Sequence, residues 1–317
     1  MIVRWGLNAL PEVLAELGIE RPLLVASERW SSLDLPAAAS WHEIPSHRIE
    51  APDDVDGLLA VGGGSAIDTA KAPSAAHGLP VVSVPTTYSG SEWAPTFGVR
   101  DPDRKIVGSG GGAHMAAIVY DPKLTVGLPR AETGGTAMNA LAHTAEALYV
   151  RGRSDEGDEL ALAGARLIAE LLPLVLEQPD DLELRTHLLE GASHAGEALA
   201  LAGLGLGHAM AQAVGGAYGL PHGTMNAIVL PAALRFNAEF VPEAVRRFGE
   251  AIGALDDPAA KVEQLAALSG PTRLREVGVP EADLPALAEA AAARAGNRAN
   301  PRPATADEVE ALYRSIW

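Results

Sequence analysis

The stretch Leu58–Ala72, "LLAVGGGSAIDTAKA", joins a short apolar run to three glycines and then to a helical pattern. This succession is typical of a β-strand, a tight turn and an α-helix in an α/β sheet. Glycine lets the backbone approach a ligand closely, and the N-terminus of a helix favours an anion such as a pyrophosphate. The turn is neither G-x-G-x-x-G nor a lysine-bearing P-loop. We therefore predict a phosphate site at 62–64, with a ligand-free tight turn as the alternative.

Further apolar runs bounded by Gly or Pro accompany this strand in the first part of the chain. Continuous Val, Leu and Ile runs of this kind are typical of parallel strands that are covered on both faces. The predicted strands are 22–27, 57–64, 80–87 and 116–122. They indicate an α/β nucleotide-binding domain with a mainly parallel sheet over residues 1–128.

From about Pro129 the pattern changes to long segments rich in Ala, Leu and Glu, which predict an all-α domain over residues 129–317. The predicted helices are 136–150, 156–177, 182–202, 206–218, 224–237 and 242–253, with further short helices to the end of the chain. The segment 288–303 is predicted as a helix followed by a Pro-rich turn. The most apolar window, 195–220, contains Glu197, His208 and Gln212. We interpret it as buried helix rather than as a membrane span.

The composition limits the functions that the chain can have. Its 317 residues are 48% hydrophobic and carry a formal charge of -17, which suits a globular protein with a large core. The negative charge argues against nucleic acid or an anionic membrane as a partner, because both attract clustered Lys and Arg. The absence of cysteine excludes disulfides and thiolate catalysis. The N-terminus lacks the pattern of a signal peptide, so we expect a cytoplasmic protein.

A second polar loop, 84–92 with the sequence "VPTTYSGSE", follows the next predicted strand. Its hydroxyl side chains would lie at the carboxyl end of a parallel strand, where α/β sheets bind ligands. Taken alone, the loop is also consistent with an ordinary polar turn. The hydroxyl residues are Thr86, Thr87, Ser89 and Ser91. Next to the first turn, Ser65 and Asp68 have the spacing of a capping box, which would begin the helix there.

Polar side chains recur at helical spacing in the second half. Asn139 and His143 are four residues apart, as are His208 and Gln212, and His222 begins another helical segment. Side chains at i and i+4 lie on one face of a helix, and facing helices of a bundle bring such groups together. Each histidine alone is more typical of a satisfied core residue. Their patterned positions nevertheless favour one shared site.

Five segments resemble, in the same order along the chain, the group III, iron-containing alcohol dehydrogenase superfamily, and within it most closely the maleylacetate reductases. They are "GGGSAIDTAKA", "PTTYSGSEWAPTFGV", "VYDPKLTVGLP", "GGTAMNALAHTAEALY" and "HAMAQAVGGAYGLPHGTMNAIVLPAALRFN". The resemblance implies the dehydroquinate synthase-like fold of this superfamily, an α/β domain followed by a helical one. It also implies a homodimer.

In metal-dependent members of this superfamily an Asp and three His bind a divalent ion, and the corresponding positions are Asn139, His143, His208 and His222. Maleylacetate reductases resemble this chain in having Asn at the first position and in working without a metal. An amide oxygen is a weaker metal ligand than a carboxylate. We therefore expect no metal, with the histidines binding substrate and delivering a proton and Asn139 as a neutral hydrogen-bonding partner.

The resemblance implies a metal-independent oxidoreductase that uses NADH or NADPH. The reaction would be hydride transfer to the activated C=C of an anionic 2-ene-4-oxo diacid, giving a 3-oxoadipate-type product. Gly63, Gly64 and Ser65 would bind the pyrophosphate, and Thr86 and Thr87 would lie near the nicotinamide. Further polar contacts to the cofactor are expected from Asp68, Ser91 and Lys105. Ser27 and Glu28 stand where NAD-preferring relatives carry an Asp, which leaves NADPH open.

The chain also departs from the maleylacetate reductase pattern. Ala209 and Gln212 occupy positions where those reductases have a Lys and a further His, and the region 30–54 is shorter. Arg151 and Arg153 would replace the lost charge or would simply be solvated. These departures leave three alternatives open: a metal-dependent alcohol or aldehyde dehydrogenase, a non-redox lyase or cyclase built on the same fold, and a cofactor-binding protein without catalysis.

Overall fold

The protein is described by a computed structural model that covers residues 1–101 and 105–317. The chain forms two compact units. The N-terminal unit comprises Met1–Thr87 and Ser91–Leu128, and the C-terminal unit comprises Tyr88–Gly90 and Pro129–Trp317. The three residues Tyr88–Gly90 of the polar loop therefore belong to the helical unit, although the sequence on both sides of them belongs to the first.

The N-terminal unit is built on a six-stranded sheet in which all neighbouring strands are parallel. The strand order is β1-β8-β5-β4-β2-β3. The prediction of a parallel sheet is confirmed, whereas β1, β3 and an antiparallel hairpin of β6 and β7 were not predicted. The strands are β1 Ile2–Trp5, β2 Pro22–Ala26, β3 Ala39–Trp41, β4 Gly57–Gly62, β5 Pro80–Pro85, β6 Phe97–Arg100, β7 Ile106–Gly110 and β8 His114–Tyr120.

Alternate residues of the central strands enter different cores. On β4, Leu59 and Val61 pack in the cluster that contains residues of helix α1, Leu10–Glu16. Leu58 and Ala60 pack with Ile67 of helix α2, Gly64–His77. Because both faces of β4 are covered, every one of its residues is buried, as its continuous apolar sequence predicts.

The C-terminal unit consists of helices and contains no strand in residues 129–317, all of which the structure describes. Its helices are α3 Arg130–Ala147, α4 Asp155–Glu177, α5 Leu182–Ala202, α6 Leu206–Tyr218, α7 His222–Ala238, α8 Pro242–Ala251, α9 Pro258–Ala267, α10 Leu284–Ala292, α11 Ala295–Ala299 and α12 Ala306–Ser315. The prediction of a single helix after Ala288 is wrong, because α10 ends at Ala292 and the chain turns at Ala293 and Arg294 before α11 begins.

The apolar window 195–220 is divided between α5 and α6 at Gly203, which has a φ of 86°. In the described residues no single helix has the length and hydropathy of a membrane span. The α5–α6 pair reaches them only together, across a bend of 102°. Most residues of α6 are buried within the protein, which agrees with the interpretation of this window as core.

Candidate functional site

Three imidazole rings meet inside the C-terminal unit, and together they form the histidine cluster: His143 on α3, His208 on α6 and His222 on α7. The ring centroids of His143 and His208 are 4.8 Å apart with the planes nearly parallel, and those of His208 and His222 are 5.6 Å apart. His143 and His208 are 4% and 1% exposed. The structure thus brings together the three histidines that the sequence pattern singled out.

Asn139 joins the cluster through a network of amides. Its Oδ1 accepts a 2.7 Å hydrogen bond from Asn226 Nδ2, and its Nδ2 donates to the carbonyl of Ser89 at 2.8 Å. The Nδ2 of Asn226 also lies 3.0 Å from His222 Nε2. Both the carbonyl and the amino group of Asn139 are therefore engaged by the protein. Sequence reasoning missed Asn226, although it stands four residues after His222 on the same helix.

Glu146 is a buried carboxylate that holds His208. Its Oε2 lies 2.7 Å from His208 Nδ1 and accepts a 2.6 Å hydrogen bond from the backbone N–H of Gly205. Its Oε1 accepts from the backbone N–H of His208 at 3.0 Å. A carboxylate accepts only, so Nδ1 of His208 carries a proton. Glu146 was missed because it lies in an apolar run with no apparent partner in sequence.

Two ring nitrogens of the cluster are buried and have no hydrogen-bond partner within residues 1–101 and 105–317: Nδ1 of His143 and Nε2 of His208. Burial lowers the pKa of His143 well below its ordinary value, and the neighbouring rings of His208 and His222 lower it further. His143 is consequently neutral near pH 7. Buried polar atoms that the protein leaves unsatisfied are what a polar ligand would be expected to satisfy.

Gly90 closes one side of His143. It has a φ of 74°, and a Cβ atom there would lie 3.2 Å from Nδ1 and Cε1 of the ring. The left-handed backbone and the close approach both favour glycine. This explains why the polar loop reads "YSGSE", and Ser89 beside it supplies the carbonyl that Asn139 contacts.

In the N-terminal unit the glycine turn lies at the carboxyl end of β4 and at the start of α2. Gly63 is the N-cap of α2, and a Cβ atom on it would lie 2.9 Å from Cγ2 of Thr87. The backbone N–H of Thr86 donates to the carbonyl of Gly62 at 3.0 Å. Within the described part of the chain, Oγ1 of Thr87 is buried without a partner. The predicted residues Gly63, Gly64, Ser65, Thr86 and Thr87 therefore lie around one helix N-terminus.

The predicted capping box at the start of α2 is wrong. No side chain caps this helix, because Gly63 rather than Ser65 occupies the N-cap position. Asp68 instead accepts hydrogen bonds from Ser91 Oγ at 2.6 Å and from Lys71 Nζ at 3.0 Å. The spacing alone could not distinguish a cap from this ion pair.

Among the other predicted cofactor contacts, Ser91 and Asp68 are bound to each other, and Lys71, which is 1% exposed, also donates to the Ser91 carbonyl at 2.7 Å. Lys105 is exposed, and its backbone N–H donates to the Asp101 carboxylate at 2.9 Å. Asp68 and Ser91 therefore brace the loop that follows the turn. Lys105 is held through its backbone.

The two arginines expected to replace a lost cation are both exposed. Arg153 pairs with Asp158 at 2.9 Å, and this partner raises the pKa of Arg153. Arg294, which sequence reasoning missed, instead contacts Gln212: its Nη1 donates to Gln212 Oε1 at 3.4 Å. A cation at that position on α6 thus comes from the turn between α10 and α11.

The residues that the structure describes contain no group of three or more His, Cys, Asp or Glu side chains arranged to hold a metal ion. In the histidine cluster the fourth position is an amide whose oxygen already accepts from Asn226. The amide at this position is a weak ligand for a divalent ion and is already engaged by the protein.

Comparison with known proteins assigns the chain to a family. A model described as "Fe-containing alcohol dehydrogenase family, C-terminal" matches residues 133–317, and one described as "Iron-containing alcohol dehydrogenase" matches residues 48–122. Maleylacetate reductase 1 of Cupriavidus pinatubonensis is 33% identical over 96% of this chain and 91% of its own. The maleylacetate reductase of Sphingobium indicum is 36% identical over 83% and 74%.

Solved structures agree with this. The crystal structure of maleylacetate reductase from Agrobacterium tumefaciens covers 100% of this chain and 95% of its own, with a TM-score of 0.87 and 28% identity. The chain belongs to the iron-containing alcohol dehydrogenase family, and within it resembles the maleylacetate reductases. It is an NAD(P)-dependent oxidoreductase.

Proposed function

We propose that this protein is a metal-independent reductase of the maleylacetate reductase type, which uses NADH or NADPH to reduce the activated C=C of a 2-ene-4-oxo diacid. The observation that carries the proposal is the histidine cluster with Asn139 beside it. Three imidazoles adjoin an amide rather than a carboxylate, and His143 and His208 each keep a buried nitrogen without a partner in the described chain.

The reaction adds one hydride and one proton to the substrate. Bound NAD(P)H supplies the hydride. When hydride adds to the carbon β to the ketone, negative charge moves to the ketone oxygen, and the α carbon then takes a proton to give the saturated 3-oxo diacid. Hydrogen-bond donors that face the ketone oxygen stabilise this charge. The protein's task is orientation, charge stabilisation and delivery of the proton.

His208 is the proposed proton donor. Glu146 contacts Nδ1 of His208 and so orients the ring, which leaves Nε2, an atom with no partner within the described chain, as the proposed atom that delivers the proton to the substrate. His143 is neutral because burial lowers its pKa, which suits hydrogen bonding rather than proton delivery. His222, held by Asn226, completes the set of imidazoles that contact the substrate.

The N-terminal unit is proposed to bind the cofactor. Gly63 and Gly64 let a pyrophosphate approach the N-terminus of α2, where unpaired N–H groups and the helix dipole favour negative charge. The unpartnered Oγ1 of Thr87 lies beside Gly63 and is available to a cofactor oxygen. Asp68 and Ser91, paired with Lys71, are proposed to keep this loop in place, and Lys105 is proposed to contact the cofactor at the surface.

Metal independence is supported by the chemistry of Asn139. Its oxygen accepts from one amide and its nitrogen donates to a backbone carbonyl, so the residue is satisfied without an ion. A divalent ion would have only neutral ligands and would have to compete with these hydrogen bonds.

The test is a steady-state assay of purified protein that follows NADH or NADPH absorbance. We expect turnover with maleylacetate, and little with simple aldehydes or alcohols. Each alternative has its own outcome. Activity only with an alcohol or aldehyde and added iron or zinc favours a metal-dependent dehydrogenase. Folded protein that binds NAD(P)H but gives no turnover with maleylacetate contradicts the proposal.

A further inference from the structure

Arg294 contacts helix α6 one turn beyond His208 of the histidine cluster. It is the N-cap residue of α11, and its Nη1 and Nη2 donate to the side-chain and backbone oxygens of Gln212 at 3.4 and 3.3 Å. Gln212 follows His208 by four residues on α6, so the two side chains project from the same face of that helix. The contact with Gln212 therefore places a guanidinium against α6, one helical turn beyond His208.

Within the described residues the guanidinium has no negative partner. Arg294 is half-buried and forms no ion pair with any carboxylate of residues 1–101 and 105–317, and its Nε is buried without a hydrogen-bond partner there. The chain has 41 acidic and 24 basic residues, so carboxylates are abundant. By contrast, Arg153 and Arg247 both pair with Asp158. A half-buried charge is costly unless it is paired, and burial lowers the pKa of Arg294 accordingly.

The remaining donors suit a carboxylate. A guanidinium has five N–H groups, and Gln212 accepts from one on Nη1 and one on Nη2. One further N–H remains on each of these nitrogens. The N–H of Nε is also unused within the described residues, and it is parallel to one N–H of the neighbouring Nη. Such a pair matches the two oxygens of a carboxylate, with a geometry that lysine does not provide.

The turn that carries Arg294 is held tightly on α6. A Cβ atom on Gly296 would lie 2.5 Å from the carbonyl oxygen of Gly205 and 3.5 Å from Cβ of Ala209. The small residues Gly296 and Ala209 therefore let the turn approach the start of α6 closely. Ala209 and Gln212 are also the two positions at which the chain departs from the maleylacetate reductase pattern. Ala209 and Gln212 both contact the segment that carries Arg294.

We propose that Arg294 binds a carboxylate of the substrate through the guanidinium N–H groups that Gln212 does not use, and that Gln212 holds the guanidinium in place. The inference rests on the proposed function, because it assigns one charged end of the dicarboxylate to a residue of that same site. It makes the α10–α11 turn a determinant of substrate specificity. It also explains how α6 accepts Ala209 and Gln212 in a site for a dianion.

The experiment uses adipate, a saturated six-carbon dicarboxylate, and its uncharged dimethyl ester as probes, with binding measured by calorimetry. We expect Arg294→Gln to reduce the preference for adipate over the ester about 10- to 100-fold, the value of a charged hydrogen bond. Arg298→Gln is the matched control, since Arg298 is exposed on the same α11. It should leave the preference unchanged. Arg294→Lys should retain part of it.

Turnover provides a second reading, in which Arg294→Gln should raise KM for maleylacetate far more than it lowers kcat. An unchanged preference for adipate in Arg294→Gln, an equal loss in Arg298→Gln, or no adipate binding by the wild type would overturn the inference. If Arg294→Gln does not fold, Gln212→Ala replaces it, and the same weakening of adipate binding is expected because the guanidinium loses its anchor.

The two proposals fail separately. Wild-type protein that binds adipate through Arg294 but does not reduce maleylacetate contradicts the proposed reaction and supports the carboxylate site. Wild-type protein that reduces maleylacetate while Arg294→Gln binds adipate normally contradicts the carboxylate site alone.

Discussion

Asn139 carries an amino group where an aspartate would carry an oxygen, and this amino group forms a hydrogen bond in the structure. Its Nδ2 donates to the carbonyl of Ser89, while its Oδ1 accepts from Asn226. A carboxylate at this position would face the Ser89 carbonyl without a proton to share. Asn139 is thus satisfied by protein groups alone. Its replacement by aspartate tests whether these hydrogen bonds stabilise the protein and whether a carboxylate at this position binds a metal ion.

We predict that Asn139→Asp lowers the free energy of unfolding by about 1–3 kcal/mol in metal-free buffer, because a buried hydrogen bond is lost and two acceptors face each other. The same change supplies an anionic ligand beside three imidazoles, so zinc should raise its melting temperature more than that of the wild type. Thermal unfolding with and without zinc measures both effects. Asn139→Ala is the control, and an equal zinc response in the two variants would contradict the interpretation.

Glu146 acts on His208, and its removal should affect chemistry more than substrate binding. The change Glu146→Gln replaces one carboxylate oxygen with an NH2 group, which cannot accept a hydrogen bond. The oxygens of Glu146 contact the backbone N–H groups of Gly205 and His208 and the Nδ1 of His208. We expect kcat to fall by about 10²- to 10⁴-fold with a smaller change in KM, because the ring loses its fixed proton and stabilising charge. Steady-state kinetics measures this. Glu177→Gln, an exposed change on α4, should be silent; equal losses in both variants would argue against the role.

His143 should make stability depend on pH. Its pKa is lowered in the folded state, so below about pH 6.5 the unfolded chain binds a proton that the folded chain does not. Stability is therefore full above that pH and is lost as the pH falls. His143→Gln should reduce the slope of unfolding free energy against pH by up to about 1.4 kcal/mol per pH unit. Denaturant unfolding between pH 5 and 8 checks this, roughly the range over which histidine titrates. The exposed His114→Gln is the control, and an unchanged slope in His143→Gln would contradict the prediction.

The histidines could be found from the sequence because their spacing is local, but their partners could not. Glu146 reaches His208 across 62 residues of chain, and Asn226 reaches Asn139 across 87. Arg294 reaches Gln212 across 82. Each of these residues lies in a segment that looks like ordinary helix or turn. Their roles arise from tertiary packing, which helical periodicity does not encode.

Among the secondary-structure elements, helix α2 is the one whose N-terminus is proposed to bind the cofactor phosphates. Gly63→Ala would place a methyl group 2.9 Å from Thr87 Cγ2, beside that N-terminus. We predict that it weakens NADH binding by about tenfold or more, since the added carbon occupies the space that backbone and ligand share. Fluorescence titration with NADH measures the affinity.

The control for that change is Gly127→Ala, because a Cβ atom at Gly127 would have no atom within 4 Å in the described structure. It should bind NADH as the wild type does. The glycine turn would not be part of the cofactor site if Gly63→Ala left the NADH affinity unchanged, or if both changes lowered it equally.

The long elements were predictable because their patterns are strong and local. The predicted ends of α5 and α6 agree with the structure, and the buried strands β2, β4 and β5 read as continuous apolar runs. Strand β3 has three partly or fully exposed residues and β1 is only half-buried, so neither shows a hydrophobic period. Helix α3 begins at Arg130, earlier than the predicted Thr136. Within α3, Gly134 and Gly135 allow Ser269 and the start of α7 to approach.

For the molecule as a whole, the net charge of the protein has the same sign as the charge of its proposed ligands. A chain of charge -17 repels dianionic substrates and dinucleotides at long range. Screening limits this repulsion to about 8 Å at physiological ionic strength, so local groups decide binding. In the N-terminal unit these groups are the amides at the start of α2, and in the C-terminal unit they are the histidine cluster and Arg294. Hydrogen-bond donors, and the positive charge of Arg294, are thus supplied locally.

The proposed function depends above all on the histidine cluster reducing an anionic enone without a bound metal. The decisive measurement is the rate of NAD(P)H oxidation with maleylacetate by protein treated with a strong chelator, with the residual metal content of the same sample determined by mass spectrometry. We predict an unchanged kcat at far less than one metal ion per chain. Loss of activity on chelation, restored by one equivalent of iron or zinc, would contradict metal-independent reduction.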